Sequence, residues 1–569
     1  MSLVLLASLM LLVSFGAATV AQTPPADGRC HGERVDSITF NPGRPPFAGS
    51  AKKWRAMARA IGLHHATTRA DVLRTYILLK EGDVCTDQRR IESERILRDL
   101  PFLADASVRA FPDSAGGVRL DVSTTDEIPA LISGAIRHGG LSALALGNSN
   151  ISGIGLRVYG GVQRGFNYRD GGRLQITQYA AFGYPLTANI DLAKNQLGGH
   201  AEVDLSHPFL TDLQRGSFQA TFRDANDYPT ILRPDEDNAS LSVRQKRWSI
   251  SGVARTHIDG LVALFGAAAM GNRIAPAATP VGLSNSLGAY PTDDSNLLDR
   301  YHTYDATRLG GLIGVRRIRF TTVSGYDALF ATQDVSTGVQ VGTLIAPGMR
   351  NPGRSDLLVA STAYAGTMLG TSLLAAQLET EARHEFTDGI WDSMISSGRA
   401  AWYIKPSPQT LLTLDDELAI GSRGLLPTQL DFSDPVGGVR GYSRSRLAGE
   451  DRNIVRAELR LAHPALIKHS DLGLALFTDV GNLWAGDVPY GQTVSARSVG
   501  FSILAAYPAK SKRLYRLDFA FPLERGSGSG FAVRFTTGDP TQAFWTEPGD
   551  VTRSRLAPVP SSLFAWPAG

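Results

Sequence analysis

Cysteine, charge and long apolar runs are all scarce in this chain of 569 residues, and each shortage excludes something. Only Cys30 and Cys85 are present, and two thiols alone cannot complete the tetrahedral shell of a structural zinc. In an exported chain an even pair is read as a disulfide, so a structural Cys30–Cys85 bridge is expected. The net charge of +3 is too small to argue for a nucleic-acid partner. Only the extreme N-terminus carries an apolar run approaching the ~18 to 20 residues that a spanning helix needs, which excludes a polytopic helical membrane protein. Any insertion into a bilayer would therefore use a β-barrel, whose alternating strands leave mean hydropathy near neutral, as it is here at -0.07.

Glycine and proline are plentiful, 59 and 30 residues, and mark a chain with many turns. Met1 to Ala21 is an apolar core followed by small residues, after which Gln22-Thr23-Pro24-Pro25 turns polar. Residues 1–21 are read as a secretory signal peptide and 22–33 as a linker.

Residues 34–128 have a mixed pattern. Val35, Ile38 and Phe40 suggest a short strand, and Trp54 to Leu63 a helical stretch. Thr68 to Gly82 opens with a capping-box pattern and closes on glycine, as a helix should. A further helix after Thr86 carries Ser93, Ile96, Leu97 and Leu100 on one face. Ala106, Val108 and Ala110 then alternate on one side of Asp113 to Gly117, and Val118, Leu120 and Val122 on the other, which is a hairpin. The order is β-α-α-β-β.

Beyond Pro129 the period changes to two, and alternating segments recur to about residue 537 between Gly, Asn, Asp and Pro clusters. Val455, Ala457, Leu459 and Leu461 oppose Arg456, Glu458 and Arg460; Leu472, Leu474 and Leu476 oppose Asp471 and Asp479. Tyr515, Leu517, Phe519 and Phe521 oppose Arg516 and Asp518, and Phe531, Val533 and Phe535 oppose Arg534. One face suits lipid and the other water, although a soluble sandwich would alternate in the same way. Charges repeated along one face fit the lumen of a closed barrel. The 408 residues from 130 to 537 divide among 16 strands at about 25 or 26 each, consistent with ~9 to 11 crossing residues plus long loops; 14 or 18 strands fit nearly as well.

Val439-Arg440-Gly441-Tyr442 follows a glycine pair. With Phe477, Asp479 and Gly481, and with Arg516, Asp518 and Pro522, it resembles the three motifs of the superfamily that joins polypeptide-transport-associated (POTRA) domains to an outer-membrane barrel. That superfamily includes BamA/TamA-like assembly factors and two-partner secretion transporters. Residues 34–128, notably Leu78 to Asp83 and Glu92 to Arg98, resemble a single POTRA domain. The resemblance implies a mainly β protein: a transmembrane antiparallel barrel of about 16 strands over 129–545, preceded by one small α/β POTRA domain and followed by a Pro-rich tail, 546–569. The aromatic end of the last strand is Phe535 or Phe544. It also implies that Arg440 sits on a loop folded into the lumen. Alternation places Asp479 within reach there, and a guanidinium suits the pairing because its planar fork binds a carboxylate bidentately and keeps its proton. Glu458 and Asp518 face inward and would join.

Little points to an enzyme. Gly153-Ile154-Gly155 lacks the third glycine of a dinucleotide site and is read as a turn. Gly526 to Gly530 has glycine where a nucleophile elbow needs serine. The neighbouring His64 and His65 point different ways, so no metal pair is expected, and Asp293-Asp294 and Asp415-Asp416 are read as solvated turns. What the resemblance implies is insertion, assembly or translocation of proteins at a Gram-negative-type outer membrane, with the POTRA domain in the periplasm. Its partners would be outer-membrane lipid, unfolded client polypeptides, and a periplasmic protein docking through POTRA, with no cofactor, metal or nucleic acid. The alternatives are a two-partner secretion transporter passing an unfolded exoprotein, and a passive channel or structural barrel.

Overall fold

The computed structural model describes residues 28–44, 67–114, 116–137, 140–163, 170–258, 260–284, 288–349, 356–434, 437–443, 445–467, 469–524, 531–537 and 547–557. The proposed signal peptide, the Trp54 to Leu63 helix, His64 and His65, Gly526 to Gly530 and Phe544 lie outside them.

The N-terminal module is built from β1 (His31–Gly43), α1 (Ala70–Thr75), β2 (Val84–Thr86), α2 (Asp87–Asp99), β3 (Leu103–Pro112) and β4 (Val118–Asp126). Its sheet has the order β2-β1-β4-β3, with β1 parallel to β4 and β3 antiparallel to it. The alternating residues Val108, Ala110, Leu120 and Val122 bury one sheet face against Ser93, Ile96 and Leu97 of α2, as the helical and strand periods of those segments require. Cys30 and Cys85 are disulfide-bonded, their Cα atoms 5.2 Å apart, and tie the start of β1 to β2. The helix expected over Thr68 to Gly82 is cut to six residues, because its ends find tertiary partners instead. Thr68 does not cap it: its amide and hydroxyl donate to the Asp126 carboxylate, each at 2.8 Å. After α1 the chain leaves the helix, and Gly82 N–H donates to Val35 O at 2.8 Å. Asp126 is held at a raised pKa of about 6, chiefly by burial, against the opposing effect of the Thr68 bonds.

The remainder forms a closed barrel of 20 strands. In chain order it runs through β5 (Ala130–Arg137), β6 (Gly140–Ile151), β7 (Leu156–Gln163), β8 (Gly171–Gln178), β9 (Thr187–Asn195), β10 (Gly199–His207) and β11 (Gly216–Asp227). Two loop strands follow, β12 (Thr230–Ile231) and β13 (Asn238–Ser240), then β14 (Val243–Ile258) and β15 (Leu261–Pro276). Loop strands β16 (Val281–Ser284) and β17 (Gly288–Pro291) and helix α3 (Ser295–Leu298) precede β18 (Tyr304–Ser324), β19 (Thr332–Pro347), β20 (Asp356–Leu369), β21 (Ser372–Glu385), β22 (Ile390–Ser407) and β23 (Thr410–Ser422). The short pair β24 (Leu430–Asp431) and β25 (Ala448–Gly449) sits in a long loop before β26 (Asp451–Ile467), β27 (Ser470–Trp484), β28 (Val494–Ala506), β29 (Leu514–Pro522) and β30 (Ala532–Thr537), and helix α4 (Gly549–Ser554) comes last. Every barrel pairing with a described register is antiparallel between chain neighbours, and β30 meets β5 to close the wall.

The strand count corrects the expected 16. The first seven barrel strands fit between residues 130 and 227, joined by turns shorter than the loops the arithmetic had allowed. The connections that hold β12, β13, β16, β17, β24 and β25 lie at the barrel end opposite the module. Outward positions are apolar: Leu459 and Leu461, Leu474 and Leu476, Val533 and Phe535 are all exposed. Inward positions carry charge on β26 (Arg456, Glu458, Arg460), β27 (Asp479), β29 (Arg516, Asp518) and β30 (Arg534), as the alternation required, whereas β28 turns Ser498 and Ser502 inward. Elsewhere the interior departs from a polar lumen, because Val253, Leu264, Leu312, Leu344 and Leu358 pack with Phe209, Leu426 and Leu556 in one cluster.

The module packs against one mouth of this barrel. Arg98 of α2 makes a two-pronged bond with Asp334 at the start of β19, at 2.8 and 2.9 Å. Arg95 lies over the Phe320 ring, 4.0 Å from its centroid, and Arg513 donates to Ile128 O at 2.6 Å. Gly153-Ile154-Gly155 is a turn, with φ of +71° and +70° at its glycines, and it docks on the module: Arg69 N–H donates to Gly153 O at 2.9 Å.

Candidate functional site

The loop between β23 and β26, residues 423–450, does not stand off the barrel. Its base is closed by the β24–β25 ladder, Leu430 opposite Gly449 and Asp431 opposite Ala448. Apolar residues then draw its tip against the wall. Phe432, Val439 and Tyr442 pack with Ile454 of β26, Leu483 of β27 and Ala496 of β28 in one buried cluster. Gly441 takes φ +95°, where a side chain is strained, and an added Cβ would meet Pro522 Cγ at 2.8 Å. Opposite Val439, Gly481 is equally confined: a Cβ there would meet Phe432 Cε1 at 2.7 Å. Glycine is needed on the loop for its turn and on the wall for its close approach.

This packing aims Arg440 at the strands. Its Nε donates to Asp479 Oδ2 at 2.8 Å and its Nη2 to Oδ1 at 2.5 Å, while the backbone N–H reaches the same carboxylate at 3.1 Å. Its Nη1 donates to Glu458 at 2.9 Å, and the guanidinium lies 3.5 Å over the Phe477 ring centroid, a cation–π contact added to the ion pairs. Asp479 is 0% exposed, so its charge depends on these donors. Glu458 is shared: Arg516 donates to both its oxygens at 2.9 and 2.6 Å, and Arg460 joins at 2.6 Å. Asp518 accepts from Ser502 Oγ at 2.6 Å and pairs with Arg516 and Arg534. Tyr442 donates its hydroxyl to Glu524 at 2.6 Å.

The structure thus brings Val439, Arg440, Gly441, Tyr442, Phe477, Asp479, Gly481, Glu458, Arg516 and Asp518 into one cluster. Sequence reasoning omitted Arg456, which holds Gly438 O at 3.1 Å and reaches Asp415 and Glu417 at 3.2 and 3.1 Å. The inward phase of β26 already marked it. Asp415 corrects an expectation: it is not in a solvated turn but buried on β23, paired with Arg399 and Arg456. Asp294 is likewise buried and accepts the Tyr490 hydroxyl at 2.6 Å. Also missed were the contacts of residues 547–557 inside the barrel, for which the sequence offers no periodic signal.

Chemically the cluster is a latch. It holds a loop in the lumen through one guanidinium on a desolvated carboxylate, and its donors are spent on the cluster's own carboxylates rather than aimed at a substrate. No group of three or more His, Cys, Asp or Glu suited to a metal occurs among the described residues.

No protein-family model and no curated protein matches the chain. Among solved structures, it is similar to BamA from Haemophilus ducreyi lacking POTRA domains 1-3, with 11% identity, TM-score 0.38, and coverage of 89% of this chain and 85% of that one. It is also similar to CdiB from Escherichia coli, with 12% identity, TM-score 0.41 and coverage of 89% and 76%. CdiB from Acinetobacter baumannii matches with 12% identity, TM-score 0.35 and coverage of 89% and 74%. Likenesses this distant assign no function, which has to rest on the chain's own residues.

Proposed function

We propose that this chain is an outer-membrane β-barrel protein, not an enzyme, that assists insertion, assembly or translocation of proteins, with residues 34–128 as a POTRA-like domain on the periplasmic side. The observation that carries the reading is the Arg440–Asp479 latch, a loop pinned inside a closed barrel whose outer face is apolar. A closed barrel leaves no unpaired edge and is one of the two backbone forms that span a bilayer. A passive pore has no need of a loop fastened in its lumen by a buried ion pair.

In this reading the module captures extended client segments by strand addition at β3, the longer edge of its sheet. The client then enters beside the seam of β5 and β30. With six residues, β30 is the shortest barrel strand among the described residues, so few ladder bonds need to open there. Without nucleotide, free energy comes from client folding and lipid contact. Partners are outer-membrane lipid, unfolded polypeptides and a periplasmic protein docked on the module.

A two-partner secretion transporter is the alternative within the same barrel class, and a passive channel the alternative outside it. Reconstitution into vesicles separates them by comparing client insertion with single-channel conductance. The proposal expects client insertion and a low basal conductance. A steady large conductance with no effect on clients would sink it.

A further inference from the structure

After β30 ends at Thr537, on the module's side, residues 547–557 re-enter the barrel and lie against β15, β21, β22 and β26 beside the latch loop. Their contacts are buried and directional. The Asp550 carboxylate accepts from Arg452 Nη1 at 2.5 Å and Nη2 at 3.1 Å, with both side chains about 1% exposed. Glu381, buried on β21, accepts two successive backbone amides, Leu556 N–H at 2.6 Å and Ala557 N–H at 2.9 Å. Leu556 itself fills the apolar cluster with Leu264, Leu312 and Leu344.

This set of contacts has the composition of a peptide site. A carboxylate that binds consecutive backbone amides is indifferent to side-chain identity. A buried guanidinium selects an acidic residue, and an apolar cluster selects an apolar one six positions on. Without an occupant Glu381 would lose both amide donors, and Arg452 would lose its hydrogen-bonded carboxylate while keeping the Asp431 carbonyl at 2.6 Å and Glu417 at 3.9 Å, which is unfavourable for a permanently vacant wall. The same segment also touches the latch: Asp431 N–H donates to Asp550 at 3.3 Å.

We propose that this part of the lumen wall is a docking site for a polypeptide segment whose helical turn carries an acidic residue and which presents, six positions later and past the helix end, an apolar one, and that residues 547–557 occupy it in cis until displaced. Docking stands without the functional reading above; only the consequence, that displacement opens the lumen, rests on that reading.

The test uses a fluorescent synthetic peptide of residues 547–557 and the detergent-solubilised protein. The full chain should bind little, because its site is filled, whereas a chain ending at Thr546 should bind saturably. Adding Arg452→Ala should weaken that binding at least about 100-fold. Absence of saturable binding to the folded shortened chain, or equal affinity with Arg452→Ala, would overturn the site. If shortening prevents folding, Asp550→Asn in the full chain is followed by hydrogen exchange: Leu556 and Ala557 amides should exchange at least about tenfold faster, and unchanged protection would overturn the site. Conductance tests opening separately. The shortened chain should conduct at least about twofold more than the parent, and peptide should reverse the rise. Peptide binding with unchanged conductance would leave the site standing and overturn the opening.

Discussion

Replacing Arg440 by alanine removes three charged side-chain bonds at once, two to Asp479 and one to Glu458, together with the contact over Phe477. The two carboxylates do not suffer equally. Glu458 keeps Arg516 and Arg460, but Asp479 is fully buried and loses the guanidinium that pairs with it. Breaking a buried pair from one side costs roughly 3–5 kcal/mol, because the surviving charge is stranded. The barrel ladders are untouched, and the β24–β25 pair and the Phe432, Val439 and Tyr442 cluster still attract the loop. The cost therefore falls on the docked state of the loop, whose detached population should rise by a factor of about 100 or more. Planar-bilayer conductance should show frequent large openings in Arg440→Ala, while the barrel still inserts. Combining it with Asp479→Asn should restore much of the loss, giving a coupling of at least about 1 kcal/mol in a thermal-unfolding cycle. Parental conductance together with additive effects in that cycle would refute the reasoning.

Other consequences are as specific. Gly441→Ala adds a Cβ at φ +95° and 2.8 Å from Pro522; it should loosen the loop at a cost of about 1–3 kcal/mol, seen as raised conductance, with Gly424→Ala as a silent control. The Cys30–Cys85 bridge closes a loop with sequence separation 55, so a Cys30→Ser, Cys85→Ser chain should lose about 4 kcal/mol of module stability in denaturant titration, with the barrel transition unmoved. Asp126 has a folded pKa of about 6, above its unfolded value; its stabilising contribution is present at acid pH and fades as pH rises from about 4 through about 6, by up to about 3 kcal/mol. Asp126→Asn should flatten that part of the module's pH–stability curve measured by hydrogen exchange, and an unchanged slope would contradict the assignment.

Local chemistry made the wall and the module legible. A period of two along β26 to β30 fixed which residues face inward, because successive side chains of a strand point to opposite faces whatever the wider fold. The helix after Thr86 was legible for the same reason, its apolar positions lying on one stripe. The pairing in the latch came from the family resemblance, which folds the loop of Arg440 into the lumen, joined to the inward phase that alternation gives Asp479. Strand number, by contrast, depends on how much chain each turn consumes, and the connections of β5 to β11, none longer than eight residues, could not be told from longer ones by pattern. The helix over Thr68 to Gly82 failed because Thr68 found Asp126, a partner 58 residues away, and no local signal carries that. The same holds for Asp550 and Arg452, separated by 98 residues. Period and charge belong to neighbouring residues and are written in the chain, whereas contacts across a lumen exist only once closure has set the distance between opposite walls.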